Sequence, residues 1–161
     1  RDPLVTGVQT CALPILITFS LGAFNAVPTN IDGVKTDWHN LSHHGKDENK
    51  IDELEIIENE EFSLFAKFLA ELKNHQENGS SLLTNTAVLF GSNLGNASSH
   101  DWRNLPIILA GGGYRHGSYV AHDAQDNTPL SNLFVPLAQG MGVEIEQFGK
   151  STNSPLRGLE S

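Results

Sequence analysis

Seven histidines carry the chemical signal of this chain. Three of them fall in the string WHNLSHHG, at His39, His43 and His44, and His100 follows the apolar run TAVLF in the segment SSHDW. Imidazole nitrogen is a ready ligand for zinc and other transition metals, and Asp37 and Asp101 add hard oxygen donors beside these histidines. His39 and His43 are four residues apart, so one helical turn would bring both to one face, a spacing that zinc sites often use. No HExxH string is present. Two readings therefore stand side by side: His39, His43, His44, His100 and Asp101 as ligands of a divalent metal, or polar loop histidines that hold backbone carbonyls. His116 and His122 lie around a glycine-rich turn and read as surface residues.

Two further strings resemble phosphate- or nucleophile-bearing motifs. GGGYRHG, from Gly111 to Gly117, follows an apolar run, but it has neither the dinucleotide spacing nor the Lys-Ser/Thr of a P-loop. It reads as a turn, and no nucleotide cofactor is expected. FGSNLGN places Ser92 just past a strand, yet the G-x-S-x-G elbow of a hydrolase nucleophile is missing, so Ser92 reads as a polar turn residue.

The elements that must position these groups follow from apolar periodicity. Leu16 to Phe19 is a short run of strand formers and predicts a buried strand, followed by a polar loop with Pro28, Asn30, Asp32 and Gly33. Between about Ile51 and Glu77, apolar residues recur at three- and four-residue steps through Leu54, Ile57, Leu64, Phe65, Phe68 and Leu72, which predicts an amphipathic helix. Its acidic residues come early and Lys67 and Lys73 late, the order that the helix dipole favours, so the acidic run reads as a solvated face. Gly79 is the expected stop. TAVLF (Thr86 to Phe90) and PIILA (Pro106 to Ala110) predict buried strands, and helix, strand, loop, strand is the grammar of an α/β layered sheet. Thr128 and Pro129 predict a helix start, with a kink or early end at Pro136 and a surface tail from Gly149.

Composition limits the partners. The formal charge of −9 over 161 residues would repel a phosphate backbone, so nucleic acid is not an expected partner. A 39% hydrophobic content suits one globular domain. Leu13 to Phe24 imitates the core of a secretory signal, but it is too short to span a bilayer. Val5 to Ile15 reads VTGVQTCALPI and resembles the in-frame translation of a sequencing-library adapter. Residues 1–15 are accordingly expected to lie outside the fold and 16–161 to form it. The single cysteine, Cys11, falls in the excluded part.

The strings WHNLSHHGKDE, TAVLFGSNLGNASSHDWRNLPIILAGGG and TPLSNLFVPLAQGMGVEIEQFGKSTNSPLRGLE occur in an order that resembles one family. It is the bacterial domain-of-unknown-function family numbered fifteen fifty-two, and the likeness runs from about Ile17 to Glu160. The resemblance implies the C-terminal portion of an exported, periplasmic or secreted protein. It also implies the alkaline phosphatase and sulfatase superfamily, with a layered sheet flanked by helices and a metal-dependent site for small-molecule or polymer phosphate or sulfate esters. On this resemblance zinc, manganese or calcium would be held by His39, His43, His44, His100 and Asp101. Trp102 and Arg103 depart from the pattern, which has a histidine and often an aspartate there, and the superfamily's nucleophile belongs to a part not in this chain. The fragment alone is expected to be inactive, and a non-catalytic exported binding or scaffold protein is the competing class.

Overall fold

The computed structural model describes residues 15–21, 25–152, 156, 158 and 159. The expectation for residues 1–15 falls, Ile15 apart, outside the described residues, as does Cys11. The chain is a mixed α/β structure of three helices and two small antiparallel sheets among the described residues. None of the helices there is long and apolar enough to cross a membrane.

Helix α1 (Trp38–Ser42) is barely more than one turn, and α2 (Glu48–Asn74) runs for 27 residues, about 40 Å. The two pack around Val34, Leu41 and Ile57, with Ile31, Trp38 and Leu54 against them, and Leu41 is fully buried. The Glu53 carboxylate fastens the incoming loop to α2 by accepting from the Lys35 and Thr36 amides at 2.9 and 3.0 Å. Asp47 caps α2 by accepting from the Asn49 amide, so the helix starts a few residues earlier than the apolar pattern indicates.

Gly79 does not stop α2. The helix ends at Asn74, and β1 (Gln76–Glu77) turns back through Asn78 and Gly79 into β2 (Ser80–Ser81). Both turn residues have positive φ, 51° and 85°, as a two-residue hairpin of the Asn-Gly kind requires. The returning chain then satisfies the helix end, since the Leu83 amide donates to the Leu72 carbonyl.

Strands β3 (Ala87–Gly91) and β4 (Ile107–Gly111) pair antiparallel, with Leu89 opposite Leu109. Phe90 of β3 stacks on Phe65 of α2 at 4.6 Å between centroids and lies 5.6 Å from Phe62, so the helix covers one side of the ribbon. The expected burial of both strands is corrected: residues alternate between half-buried and exposed along β3, and Leu89 and Ile108 are exposed. A strand is buried on both faces only when a layer covers each of them, and this sheet has two strands among the described residues. No alkaline-phosphatase-like layered sheet is formed by them. Leu16 to Phe19 is likewise not a buried strand; Leu16, Ile17 and Phe19 are 78%, 83% and 85% exposed.

Helix α3 (Ser131–Gly140) starts after Thr128 and Pro129 because a tighter turn comes first, the Asn132 and Leu133 amides donating to the carbonyls of Pro129 and Leu130. It runs through Pro136 to Gly140. The tail is partly tied down: Ser151 is buried, the Thr152 amide donates to Asn132 Oδ1 at 2.7 Å, and Asn132 Nδ2 donates back to Thr152 Oγ1.

Candidate metal centre

Asp37 builds the first half of the site without entering it. Its Oδ1 accepts from the Asn40 amide at 3.0 Å and its Oδ2 from Asn40 Nδ2 at 2.7 Å, which caps α1. The Asn40 side-chain hydrogen bond, seconded by the backbone one, holds the Asp37 carboxyl below its ordinary value. On the capped turn Leu41 points into the core, and His39 and the C-cap residue His43 share the opposite region. Their rings meet edge to face at 4.9 Å between centroids.

The second half comes from the loop 92–106 between β3 and β4. Asn96 and Asp101 form an isolated bridge, with the Gly95 and Asn96 amides on the Asp101 carbonyl and the Asp101 amide on the Asn96 carbonyl. Inside it the His100 amide donates to the Ala97 carbonyl, and the Ser99 amide to Asn96 Oδ1. Gly95 is required there, because a Cβ at that position would run into the Arg103 carbonyl. The tight turn leaves His100 at φ 53°, a left-handed conformation uncommon for a residue with a side chain.

The two halves meet. His43 Nε2 and His100 Nε2 lie 3.2 Å apart, and their ring centroids 5.0 Å. Without a cation, one Nε2 donates a proton to the other. Two imidazole nitrogens bound to one tetrahedral zinc at about 2.0–2.1 Å stand about 3.3 Å apart, so the observed spacing also fits a shared cation. The fit extends to two ligands. Among the described residues no three His, Cys, Asp or Glu side chains are already arranged to hold a metal ion.

Of the other expected ligands, Asp101 is committed elsewhere. Arg103 Nε donates to its Oδ1 at 3.0 Å, Arg103 Nη2 to its Oδ2 at 3.1 Å, and the Arg103 amide to Oδ1 as well. The Arg103 guanidinium, more than anything else, holds the Asp101 carboxyl below its ordinary value. His44 Nδ1 accepts from the Lys46 amide at 3.1 Å in a turn where Gly45 and Lys46 both have positive φ, the backbone-holding role of a loop histidine. Ser92 Oγ accepts from the Leu94 amide, a turn role. His116 Nε2 meets the Gly111 carbonyl at 3.0 Å. The Arg103 clamp on Asp101 is the feature that sequence reasoning missed, and the spacing Asp-x-Arg was its only signal.

Comparison of the chain with family models, with curated proteins and with solved structures finds no match.

Proposed function

We propose that His43 and His100 are the paired imidazole ligands of a divalent transition metal, with His39 as the third donor, in a metal-dependent phosphate or sulfate ester hydrolase to which this chain contributes a C-terminal part. The observation that carries the reading is the 3.2 Å separation of the two Nε2 atoms, contributed by residues 57 apart in sequence. His39 is on the same helical turn as His43, with its ring at 4.9 Å, which supports it as a further nitrogen donor beside the pair. Zinc suits three neutral nitrogens better than manganese or calcium, which prefer oxygen. A cation held there would polarise a phosphoryl or sulfuryl oxygen and leave a position open for it.

The resemblance of the histidine strings to the exported family named above supports both the ester chemistry and a periplasmic or secreted setting. The exposed Leu64 and Phe68 of α2, and the exposed Leu89 and Ile108 that the register places on opposite faces of the ribbon, support a larger layered domain in which further elements cover these surfaces. One observation favours the competing scaffold reading: the only carboxylate beside His100 in sequence is locked to Arg103.

Titration of zinc, manganese and calcium, read by melting temperature, tests the metal site on which the hydrolase reading depends. A ligand specific to the folded state at a hundred times its dissociation constant adds about 2.7 kcal/mol of stability. Zinc is expected to raise the melting temperature, calcium to leave it unchanged, and His100→Ala to remove the zinc effect. Equal responses of wild type and His100→Ala would leave only the scaffold.

A further inference from the structure

The turn that follows α2 brings together a side-chain amide and a peptide nitrogen that no side chain shields. Asn78 is the only asparagine of the sequence that precedes a glycine. Both turn residues are exposed, and a Cβ added at Gly79 would meet nothing within 4 Å, so solvent reaches the peptide between them. The side chains of Asn40, Asn85, Asn104 and Asn127 are held in hydrogen bonds. That of Asn78 is held by none among the described residues.

The same turn fixes the end of α2. Its two residue pairs, Gln76 with Ser81 and Glu77 with Ser80, set where the returning chain lands. There the Leu82 amide donates to the His75 carbonyl at 2.9 Å and the Leu83 amide to the Leu72 carbonyl at 3.0 Å. The Leu83 carbonyl accepts from the Gly112 amide at 3.0 Å, which joins this corner to the chain just past β4.

We propose that Asn78 is a site of covalent self-modification, at which the Asn78–Gly79 peptide rearranges to isoaspartate and thereby releases the end of α2. The deprotonated Gly79 nitrogen attacks the Asn78 side-chain carbonyl carbon. The new N–C bond closes a five-membered imide as the bond to Nδ2 breaks, and that nitrogen leaves as ammonia. Water then opens the imide: attack at the former side-chain carbonyl gives aspartate, and attack at the former backbone carbonyl gives isoaspartate. One water is consumed, one ammonia is released, and nothing is oxidised or reduced. In the left-handed conformation that Asn78 holds at φ 51°, the Gly79 nitrogen is turned away from the side chain, so the ring closes only when the turn opens. A hairpin of two residue pairs opens readily. Isoaspartate lengthens the backbone by one carbon, which the Gln76–Ser81 and Glu77–Ser80 register cannot absorb, and it adds a negative charge beyond the helix C-terminus, where the dipole disfavours one.

The test ages the full chain at mildly alkaline pH and follows it by peptide mapping that separates aspartate from isoaspartate, and by amide exchange at Leu82 and Leu83. Expected is conversion of Asn78 while the other asparagines stay intact, faster as pH rises. Exchange at Leu82 and Leu83 should accelerate by about tenfold in the aged protein, the effect of losing one hydrogen bond each. Gly79→Ala should convert more slowly than wild type even though an alanine strained at positive φ opens the turn more often, because its methyl group hinders the attacking nitrogen. Freshly prepared Asn78→Asp carries the charge without the extra carbon in a residue that suits the same turn, and should keep the protection of Leu82 and Leu83. Conversion of Asn78 no faster than that of the other asparagines, or undiminished in Gly79→Ala, would overturn the site. Isoaspartate formed with the protection of Leu82 and Leu83 unchanged, or equal loss of protection in fresh Asn78→Asp, would overturn the release of α2 by the lengthened backbone.

Discussion

His43 and His100 face each other Nε2 to Nε2 at 3.2 Å, one presented by the end of α1 and the other by a strained turn between β3 and β4. A contact between two ring nitrogens requires that one carry a proton and the other a lone pair. Protonating both imidazoles removes the acceptor and places two positive charges within contact distance.

The first prediction follows from that requirement. In the absence of metal, the Nε2 resonances of His43 and His100 should carry the signature of a nitrogen-to-nitrogen hydrogen bond that couples the two rings. His43→Ala should shift the His100 Nε2 resonance by removing that partner. An unchanged His100 resonance in His43→Ala would show that the two rings do not meet in solution.

The second prediction concerns Arg103. Because its guanidinium is the main cause of the lowered Asp101 carboxyl, Arg103→Ala should raise that carboxyl toward its ordinary value, as read by the pH dependence of the Asp101 carboxyl carbon signal. It should also release the carboxylate to turn toward His100. Zinc affinity is then expected to rise by about tenfold, since a negative oxygen donor joins neutral imidazoles. Unchanged zinc binding in Arg103→Ala would show that Asp101 cannot reach the pair even when freed.

How much of this was legible in the sequence depended on the range of the interaction. The 3.6-residue period of Ile51, Leu54, Ile57 and Leu72 revealed α2, but its end was set by the Asn78-Gly79 turn, a two-residue device that overrides a continuing helical pattern. TAVLF and PIILA were legible as strands. Their exposure was not, because an apolar run reports what a strand could bury and says nothing of how many layers arrive to bury it. His39 and His43 were readable as neighbours from their four-residue spacing. Nothing in the sequence tied either of them to His100, because that contact depends on how α1 and the β3–β4 loop are placed in three dimensions. The pairing of Asp101 is local by contrast, since its partner Arg103 is only two residues away.

A third prediction concerns acid. Glu53 lies below its ordinary value chiefly because its carboxylate accepts from the Lys35 amide, with the Thr36 amide contributing. A carboxyl depressed in the folded state adds stability that is present above its unfolded value and lost as pH falls through the folded one. Glu58 and Glu61 behave oppositely, raised by burial first and by neighbouring Glu55 and Glu58 second. Their ionisation opposes folding, so stability from them is greatest below the unfolded value and is lost as pH rises through their raised values. The loop at Val34 to Thr36 should therefore detach as pH falls through the lowered value of Glu53, as read by amide exchange at Lys35 and Thr36. Glu53→Gln should remove that pH dependence, and persistence of the acid transition in the variant would assign it to another group.

The final prediction tests whether the small core positions the site. Leu41 is fully buried between α1 and α2 with Val34 and Ile57, and it lies between His39 and His43 on the same turn. Leu41→Ala removes three buried carbons and leaves a cavity that so short a helix cannot close without shifting, so the expected cost is about 2–5 kcal/mol. In a chain whose apolar core among the described residues is this small, that is a large share of the total stability. Because α1 has no other fully buried side chain, the shift should carry His43 away from His100. Leu41→Ala should thus lose both cooperative melting and the coupled His43 and His100 resonances, whereas the conservative Leu41→Met should retain both. A Leu41→Ala protein that melts sharply and keeps the coupling would show that the Asp37 cap alone is enough to hold the turn in place.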